Sequence, residues 1–134
     1  LAFDAWIRNA DRILGPTGGN PNAMLVSPGN RFFLIDHDNG FDPDFDPGIL
    51  TSMHPGRAQA ALWLDLGRRS DWTVRARKAF DKFEAIWQEL PPEWLEEDDG
   101  PVPEIEDFRG RVLDILRQPF DLPTEFWRSL DPTQ

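Results

Sequence analysis

One stretch of the sequence decides the fold: Asn20-Pro-Asn-Ala-Met-Leu-Val-Ser-Pro-Gly-Asn-Arg-Phe-Phe-Leu-Ile-Asp36. Two short apolar runs, 24–26 and 31–35, flank a Ser-Pro-Gly-Asn turn at 27–30. Runs of this length on either side of a Pro-Gly turn are typical of paired strands. The stretch therefore predicts a β-hairpin, with amide side chains before its first strand and a carboxylate, Asp36, after its second.

The sequence before the hairpin predicts a helix that ends near a carboxylate. Apolar residues recur every three or four positions, which predicts a helix over residues 1–12. Residues 15–22, rich in Gly and Pro, predict a loop. Asp11 would then lie in the last turn of the helix, where a carboxylate opposes the helix dipole by about 0.3–1 kcal/mol. Stability alone does not favour a carboxylate there, so a functional role is indicated.

The sequence after the hairpin is mainly helical in pattern. Residues 37–54, dense in Asp, Pro and Gly, predict a long ordered loop that Phe41 and Phe45 attach to the body. Helices are expected over the following segments: 58–66, 71–90 with Asp71 as N-cap, a one-turn anchor at 93–95, 105–118, and a last short helix capped by Thr124. An acidic connector is expected over 96–103. The predicted fold is mainly α with a small β-hairpin, in a single domain over 1–134, with 1–54 carrying the hairpin and its loops and 55–134 forming a helical subdomain.

Composition excludes several classes of function. The 134 residues are 40% hydrophobic, contain no cysteine and carry a net charge of −10. These values exclude a disulfide framework and a thiol nucleophile, and they argue against a nucleic-acid partner, which needs clustered Lys and Arg. No apolar run reaches the roughly 20 residues that span a bilayer. A membrane partner is therefore not expected, and we expect a cytoplasmic location. Because the sequence begins at Leu1, we expect it to be part of a longer protein.

The order of the polar residues points to phosphoryl transfer. That reaction needs a carboxylate to receive the proton of the attacking hydroxyl, and an amide and a second carboxylate to hold Mg²⁺. Asp11, an amide at Asn20 or Asn22, and Asp36 follow one another in the order used by protein kinases: loop Asp, Asn, strand, turn, strand, Asp. The acidic series Asp38, 42, 44 and 46 is interrupted by prolines and lacks a twelfth-position Glu, so it does not predict an EF-hand.

The motifs that carry this order resemble a known family. Arg8-Asn-Ala-Asp-Arg12, Asn20-Pro-Asn22 and Leu34-Ile-Asp-His37 are similar to the catalytic segment of HipA-like kinases and, more distantly, of phosphatidylinositol 3- and 4-kinases. Leu90-Pro-Pro-Glu-Trp-Leu95 resembles the C-terminal part of the HipA-like branch. The resemblance implies the C-lobe of a protein-kinase-like fold without its N-lobe. It also implies ATP and Mg²⁺ as cofactors and a hydroxyl of a protein or small molecule as acceptor.

The resemblance also implies roles for individual residues. Asp11 would be the catalytic base, and Asp36 would be the metal ligand that corresponds to the Asp of a DFG motif. Asn22 or Asn20 would be the second metal ligand, and Asn22 is preferred because it directly precedes a strand. From the residues themselves, Arg12 is expected either to bind phosphate or to pair with Asp11. His37 is expected to orient the loop, with a supporting role beside the metal ligand Asp36 as the alternative.

Two departures from the kinase pattern leave alternatives open. Protein kinases place the Asn five residues after the catalytic Asp, whereas Asn20 and Asn22 follow Asp11 by nine and eleven residues. No glycine-rich loop or strand-borne lysine precedes Asp11, and both lysines of the chain, Lys78 and Lys82, lie downstream. An N-lobe from the same gene or from a partner chain is therefore expected, and this chain alone should transfer phosphate poorly. The alternatives are a pseudokinase-like binding module and, disfavoured by the acidity, a lipid kinase.

Overall fold

The computed structural model describes residues 1–29, 31–97, 100–101 and 104–131, and it is mainly helical with a β-hairpin near its N-terminal end. The helices and strands are, in chain order, α1 (Ala2–Trp6), β1 (Ala23–Val26), β2 (Arg31–Leu34), α2 (Gly48–Ser52), a 3₁₀ helix (Arg57–Leu64), α3 (Leu66–Phe80), α4 (Phe83–Gln88), a 3₁₀ turn (Pro92–Trp94), β3 (Glu96–Glu97), β4 (Gly100–Pro101), α5 (Ile105–Asp121) and α6 (Pro123–Arg128).

The predicted hairpin is confirmed. β1 and β2 pair antiparallel, with Ala23 opposite Leu34 and Leu25 opposite Phe32. Its turn is described only as far as Gly29, because residue 30 lies outside the described part of the chain. Leu25 and Phe32 are 68% and 65% exposed, so the hairpin projects from the body instead of entering the core.

The first helix is much shorter than predicted. α1 ends at Trp6, and Arg8 adopts a left-handed backbone with φ of 50°. The Asn9 side chain then accepts a hydrogen bond from the Asp11 N–H (3.1 Å), so a side chain competes successfully with helical pairing. The expectation of a helix over 1–12 is wrong. Asp11 lies outside the helix, so no helix dipole opposes its charge.

The capping and anchoring residues also differ from expectation. Asp65 caps α3 by accepting a hydrogen bond from the Arg68 N–H (2.8 Å), so the helix begins before the expected cap, Asp71. α6 begins at Pro123 without a side-chain cap, so Thr124 is not its cap. Trp94 is 66% exposed, so the predicted anchor at 93–95 is wrong.

The remaining boundaries differ in smaller ways. The predicted loop 37–54 contains α2, the segment 58–66 is mainly 3₁₀ helix, and the helix expected over 71–90 is interrupted between α3 and α4. The helix expected over 105–118 is confirmed as α5, which continues through Pro119 to Asp121. Within the acidic connector, Glu96–Glu97 pairs with Gly100–Pro101, whereas residues 98–99 and 102–103 lie outside the described residues.

An aromatic core joins α1 to the C-terminal helices. The Trp72 ring stacks on Phe126 and meets Trp6 and Trp127 edge-on, with centroid distances of 5.4–5.5 Å. The Trp6 indole N–H donates to the Leu116 carbonyl of α5 (2.9 Å), which satisfies a buried polar atom. Phe41 and Phe45 pack against the same core, as predicted. α1, which precedes the segment that carries Asp11, is thereby packed against α5 and the aromatic core.

Within the described residues, no helix combines the length and the apolar character that a bilayer crossing requires.

Candidate functional site

The open end of the hairpin brings together residues from both of its strands. Asn22 precedes β1 and Asp36 follows β2 by two positions. The Ile35 N–H donates to the Asn22 carbonyl (3.0 Å), which continues the pairing one step beyond the strands. Asn22 therefore lies opposite Ile35, the residue before Asp36, at the open end of the hairpin.

Both candidate amides contact Asp11. The Nδ2 of Asn22 donates to Asp11 Oδ2 at 2.9 Å, and the Nδ2 of Asn20 donates to the same oxygen at 3.2 Å. Asn22 is only 6% exposed, whereas Asn20 is an exposed residue. Asn22 has the shorter contact and the more fixed position. The amide oxygen of Asn22 is not engaged by this bond and can serve as a ligand.

A loop that closes on itself accounts for the extra residues between Asp11 and Asn22. The Gly15 and Gly18 N–H groups each donate to the other's carbonyl (2.9 and 3.2 Å), and the Ile13 N–H donates to the Asn20 carbonyl (3.0 Å). A Cβ added at Gly19 would lie 2.5 Å from the Ile13 carbonyl oxygen, so only glycine permits this closure. The loop returns the chain to Asp11, which is how spacings of nine and eleven residues still place both amides at the site.

Three carboxylates converge at the site, and one of them, Asp38, was not among the predicted site residues. Oxygens of Asp11, Asp36 and Asp38 lie within 4.8 Å of one another. Asp38 raises the pKa of the Asp36 carboxyl, first through a hydrogen bond between the two carboxyls and then through its negative charge. Carboxylates this close repel one another unless a proton or a cation lies between them. Together with an amide oxygen, they form the hard oxygen donor set that Mg²⁺ prefers.

The position of Asp38 in the sequence could have identified it, because it is a second carboxylate only two residues after Asp36. A DFG motif has its glycine at that position. The other acidic residues of this loop act in turns. Asp42 accepts a hydrogen bond from the Asp44 N–H (2.8 Å), and Asp46 accepts one from the Gly48 N–H (2.8 Å).

A buried charge cluster contacts the site through Arg12, and its central residue, Asp4, was not predicted from the sequence. Asp4 on α1 is 0% exposed. It accepts hydrogen bonds from Arg12 Nε to both carboxylate oxygens (3.1 and 3.0 Å) and from His54 Nε2 (2.9 Å). Because His54 Nδ1 accepts the Gly56 N–H (2.8 Å), the proton of the neutral ring lies on Nε2 and is donated to Asp4.

The electrostatics of Asp4 follow from these partners. Burial alone would raise the pKa of Asp4, but the hydrogen bonds from His54 and Arg12, with the positive charge of Arg12, outweigh burial and lower the pKa below its usual range. Asp4 is therefore ionised and paired at neutral pH.

The structure contradicts the pairing of Arg12 with Asp11. Its guanidinium pairs with Asp4 instead of Asp11, and its side chain is 2% exposed. Nη1 donates to the carbonyls of Pro21 (3.2 Å), Asn22 and Ile35 (3.4 Å), and Nη2 donates to Nδ1 of His37 (3.1 Å). Every nitrogen of the side chain thus has a protein partner.

An open cleft of about 510 Å³ adjoins Asp11. Its lining combines carboxylates with an aromatic ring and a cation: Asp38 and Asp42 on one loop, and Phe108 and Arg111 on α5. This cleft gives a molecule from solvent direct access to the Asp11 carboxylate.

Comparison with known families identifies the family of this chain. A family model described as HipA-like kinase matches residues 1–130, which is nearly the whole chain. The match confirms the resemblance to HipA-like kinases and indicates a kinase-related function. Comparison with curated proteins found no match, and neither did comparison with solved structures.

Proposed function

Because the chain belongs to the HipA-like kinase family, we propose that it forms the catalytic lobe of an ATP- and Mg²⁺-dependent kinase. The lobe corresponds to the C-lobe of a protein-kinase-like fold. The reaction moves the γ-phosphoryl group of ATP to a hydroxyl of a protein or small molecule. The observation that carries the proposal is the convergence of Asp11, Asn22 and Asp36 at the open end of the hairpin.

Asp11 is the proposed catalytic base. An acceptor hydroxyl that enters the cleft gives its proton to an Asp11 oxygen while its own oxygen bonds to the γ-phosphorus. The bond between that phosphorus and the β–γ bridging oxygen breaks, and ADP leaves. Asn22 and Asn20 hold the Asp11 carboxylate in place through their bonds to Oδ2. The other oxygen, Oδ1, accepts from neither amide and is the proposed acceptor of the hydroxyl proton.

The proposed metal ligands are the Asn22 amide oxygen and the Asp36 carboxylate, with Asp38 beside them. Mg²⁺ bound there would neutralise charge on the phosphates of ATP. The convergence of three carboxylates supports this assignment, because a divalent cation would relieve their mutual repulsion. Such a cation would also offset the negative charge of Asp38, which contributes to the raised pKa of Asp36.

An N-lobe, from the same gene or from a partner chain, is proposed to complete the nucleotide site. Kinases clamp ATP with a glycine-rich loop and a strand-borne lysine, and neither precedes Asp11 in this sequence. The exposed apolar side chains of the hairpin, Leu25 and Phe32 above all, form a surface that such a lobe would cover. Without it the chain is expected to transfer phosphate poorly or not at all.

The alternative function is a pseudokinase-like binding module. The long spacing between Asp11 and Asn22 favours it. A lipid acceptor, as in phosphatidylinositol kinases, is a weaker alternative because the net charge of −10 opposes approach to an anionic membrane.

Titration of Mg²⁺-ATP into the complete gene product tests the proposal. Calorimetry should detect nucleotide binding that depends on Mg²⁺, and Asp36→Asn should weaken it. Asp11→Asn should retain binding but lose autophosphorylation measured with labelled ATP. The matched control is Asp121→Asn, an exposed carboxylate about 15 Å along α5 from Arg111. Metal-dependent binding without any transfer in the wild type would instead support the binding module, and no binding at all would refute the kinase.

A further inference from the structure

Both proposed metal ligands have an unusual backbone conformation. Asn22 has φ of 41° and Asp36 has φ of 58°, which places both in the left-handed region. Residues other than glycine adopt it at a cost, and such conformations persist when the surrounding structure over-determines them. Whatever holds these two residues therefore sets the geometry of the metal site.

Arg12 contacts the peptide groups beside both ligands. Nη1 donates to the carbonyl of Asn22 itself and to the carbonyl of Ile35, which belongs to the same peptide unit as the Asp36 nitrogen. Nη2 donates to the ring of His37, the residue after Asp36 (3.1 Å), and that ring meets Phe3 edge-on at 5.4 Å. One guanidinium thus bridges the segment before β1 and the segment after β2.

The position of Arg12 is itself fixed by Asp4. Its Nε is bound by both oxygens of the fully buried Asp4, and Asp4 is bound in turn by His54. A guanidinium held at Nε presents its two terminal nitrogens in a fixed plane. A lysine could pair with Asp4, but its single nitrogen could not also reach two carbonyls and a ring.

We propose that Arg12 is a positioning residue that sets the geometry of the metal site by joining the Asn22 and Asp36 segments across the open end of the hairpin. The inference rests on the proposed function, because it assigns those two residues as metal ligands. It also replaces the phosphate-binding role considered for Arg12 with one that its contacts support. Its rival is a purely structural pair with Asp4, which would affect unfolding but not metal affinity.

Metal binding without nucleotide separates these roles. Mn²⁺ is titrated into the complete gene product and free Mn²⁺ is followed by electron paramagnetic resonance, well below the unfolding temperature of each variant. Arg12→Lys keeps a cation beside Asp4 but removes the bridge, and should weaken Mn²⁺ binding by about 10–100-fold, as expected for a group that orients metal ligands. Leu50→Ala is the control for destabilisation alone. Leu50 is 1% exposed in the apolar core and makes none of the contacts that hold Arg12, so this variant should lower the unfolding temperature while Mn²⁺ affinity stays within about twofold of wild type.

A double variant, Asp4→Leu with Arg12→Met, covers the case in which Arg12→Lys fails to fold. It removes both charges together, so no unpaired charge stays buried. It should fold and show the same weakened Mn²⁺ binding. If either Arg12 variant binds Mn²⁺ as tightly as wild type, or if Leu50→Ala weakens binding equally, the positioning role is wrong.

Asp36→Asn distinguishes failure of this inference from failure of the proposed function. Loss of Mn²⁺ binding in Asp36→Asn, with binding retained in Arg12→Lys, refutes the positioning role alone. If wild type binds no Mn²⁺, the metal site is refuted and the role of Arg12 is refuted with it.

Discussion

Replacement of Asp4 by Asn should be among the most destabilising single changes in the chain. Asp4 is 0% exposed and compensates the charge of Arg12, which is 2% exposed. Asn is nearly the same size, but it leaves the Arg12 charge buried without an anionic partner. Removing one member of a buried ion pair typically costs about 3–5 kcal/mol, a large part of the 5–15 kcal/mol that stabilises an ordinary domain.

Urea unfolding followed by tryptophan fluorescence provides the assay. Trp6 lies on α1, the helix that carries Asp4, so its emission should report loss of this region. With a slope of about 2 kcal/mol per molar urea, the expected loss moves the midpoint down by roughly 1.5–2.5 M. His54→Leu, which removes one hydrogen bond to the charged group, should cost about 1.5–3 kcal/mol. A loss below about 1 kcal/mol for Asp4→Asn would refute the buried pair.

The pH dependence of stability gives an independent check. The pKa of Asp4 is lowered in the folded state, so the folded protein binds its proton less readily than the unfolded chain does. Its stabilising contribution is present above the unfolded pKa of about 3.9 and is lost as pH falls through the lower folded pKa. Wild type should lose more stability than Asp4→Asn below about pH 4, and equal losses would contradict the assignment.

Three further outcomes are expected. Gly19→Ala should weaken Mn²⁺ binding and lower stability by about 1–3 kcal/mol, because its Cβ would lie 2.5 Å from a backbone carbonyl; unchanged unfolding would contradict this. Asp38→Asn should lower the pKa of Asp36 toward its ordinary value in a carboxyl NMR titration, since a neighbouring negative charge is removed, and an unmoved pKa would contradict it. Leu50→Ala, at 1% exposure, should cost about 2–5 kcal/mol, whereas Leu25→Ala, at 68% exposure, should change stability by less than about 0.5 kcal/mol; equal urea midpoints would contradict the burial of Leu50.

The hairpin and the order of its polar residues could be predicted from sequence because their signals are local. Two apolar runs around a Pro-Gly turn require no knowledge of the rest of the chain. The proximity of Asn22 and Asp36 follows once the hairpin is assumed, whereas the position of Asp11 depends on the closed loop between Asp11 and Asn22. The roles of these residues remain predictions that metal binding and phosphotransfer measurements will test.

The buried cluster could not be predicted because its partners are distant in sequence. Asp4 and His54 are fifty residues apart, and no local pattern marks a charged residue on α1 as buried. The periodicity of residues 1–14 suited a long helix equally well. What ended α1 early was the left-handed backbone at Arg8 and the side-chain bond of Asn9, details that hydrophobic periodicity does not encode.

The loop that closes on itself between Asp11 and Asn22 offers a permissive insertion point. Because Ile13 and Asn20 are joined by a hydrogen bond at its base, the length of the tip is uncoupled from the position of the amides. Pro16 and Thr17 at the tip are exposed, which is where inserted sequence is best tolerated. A short labelling peptide placed between them would carry a fluorophore to within a few residues of Asp11 while leaving the geometry of the site intact.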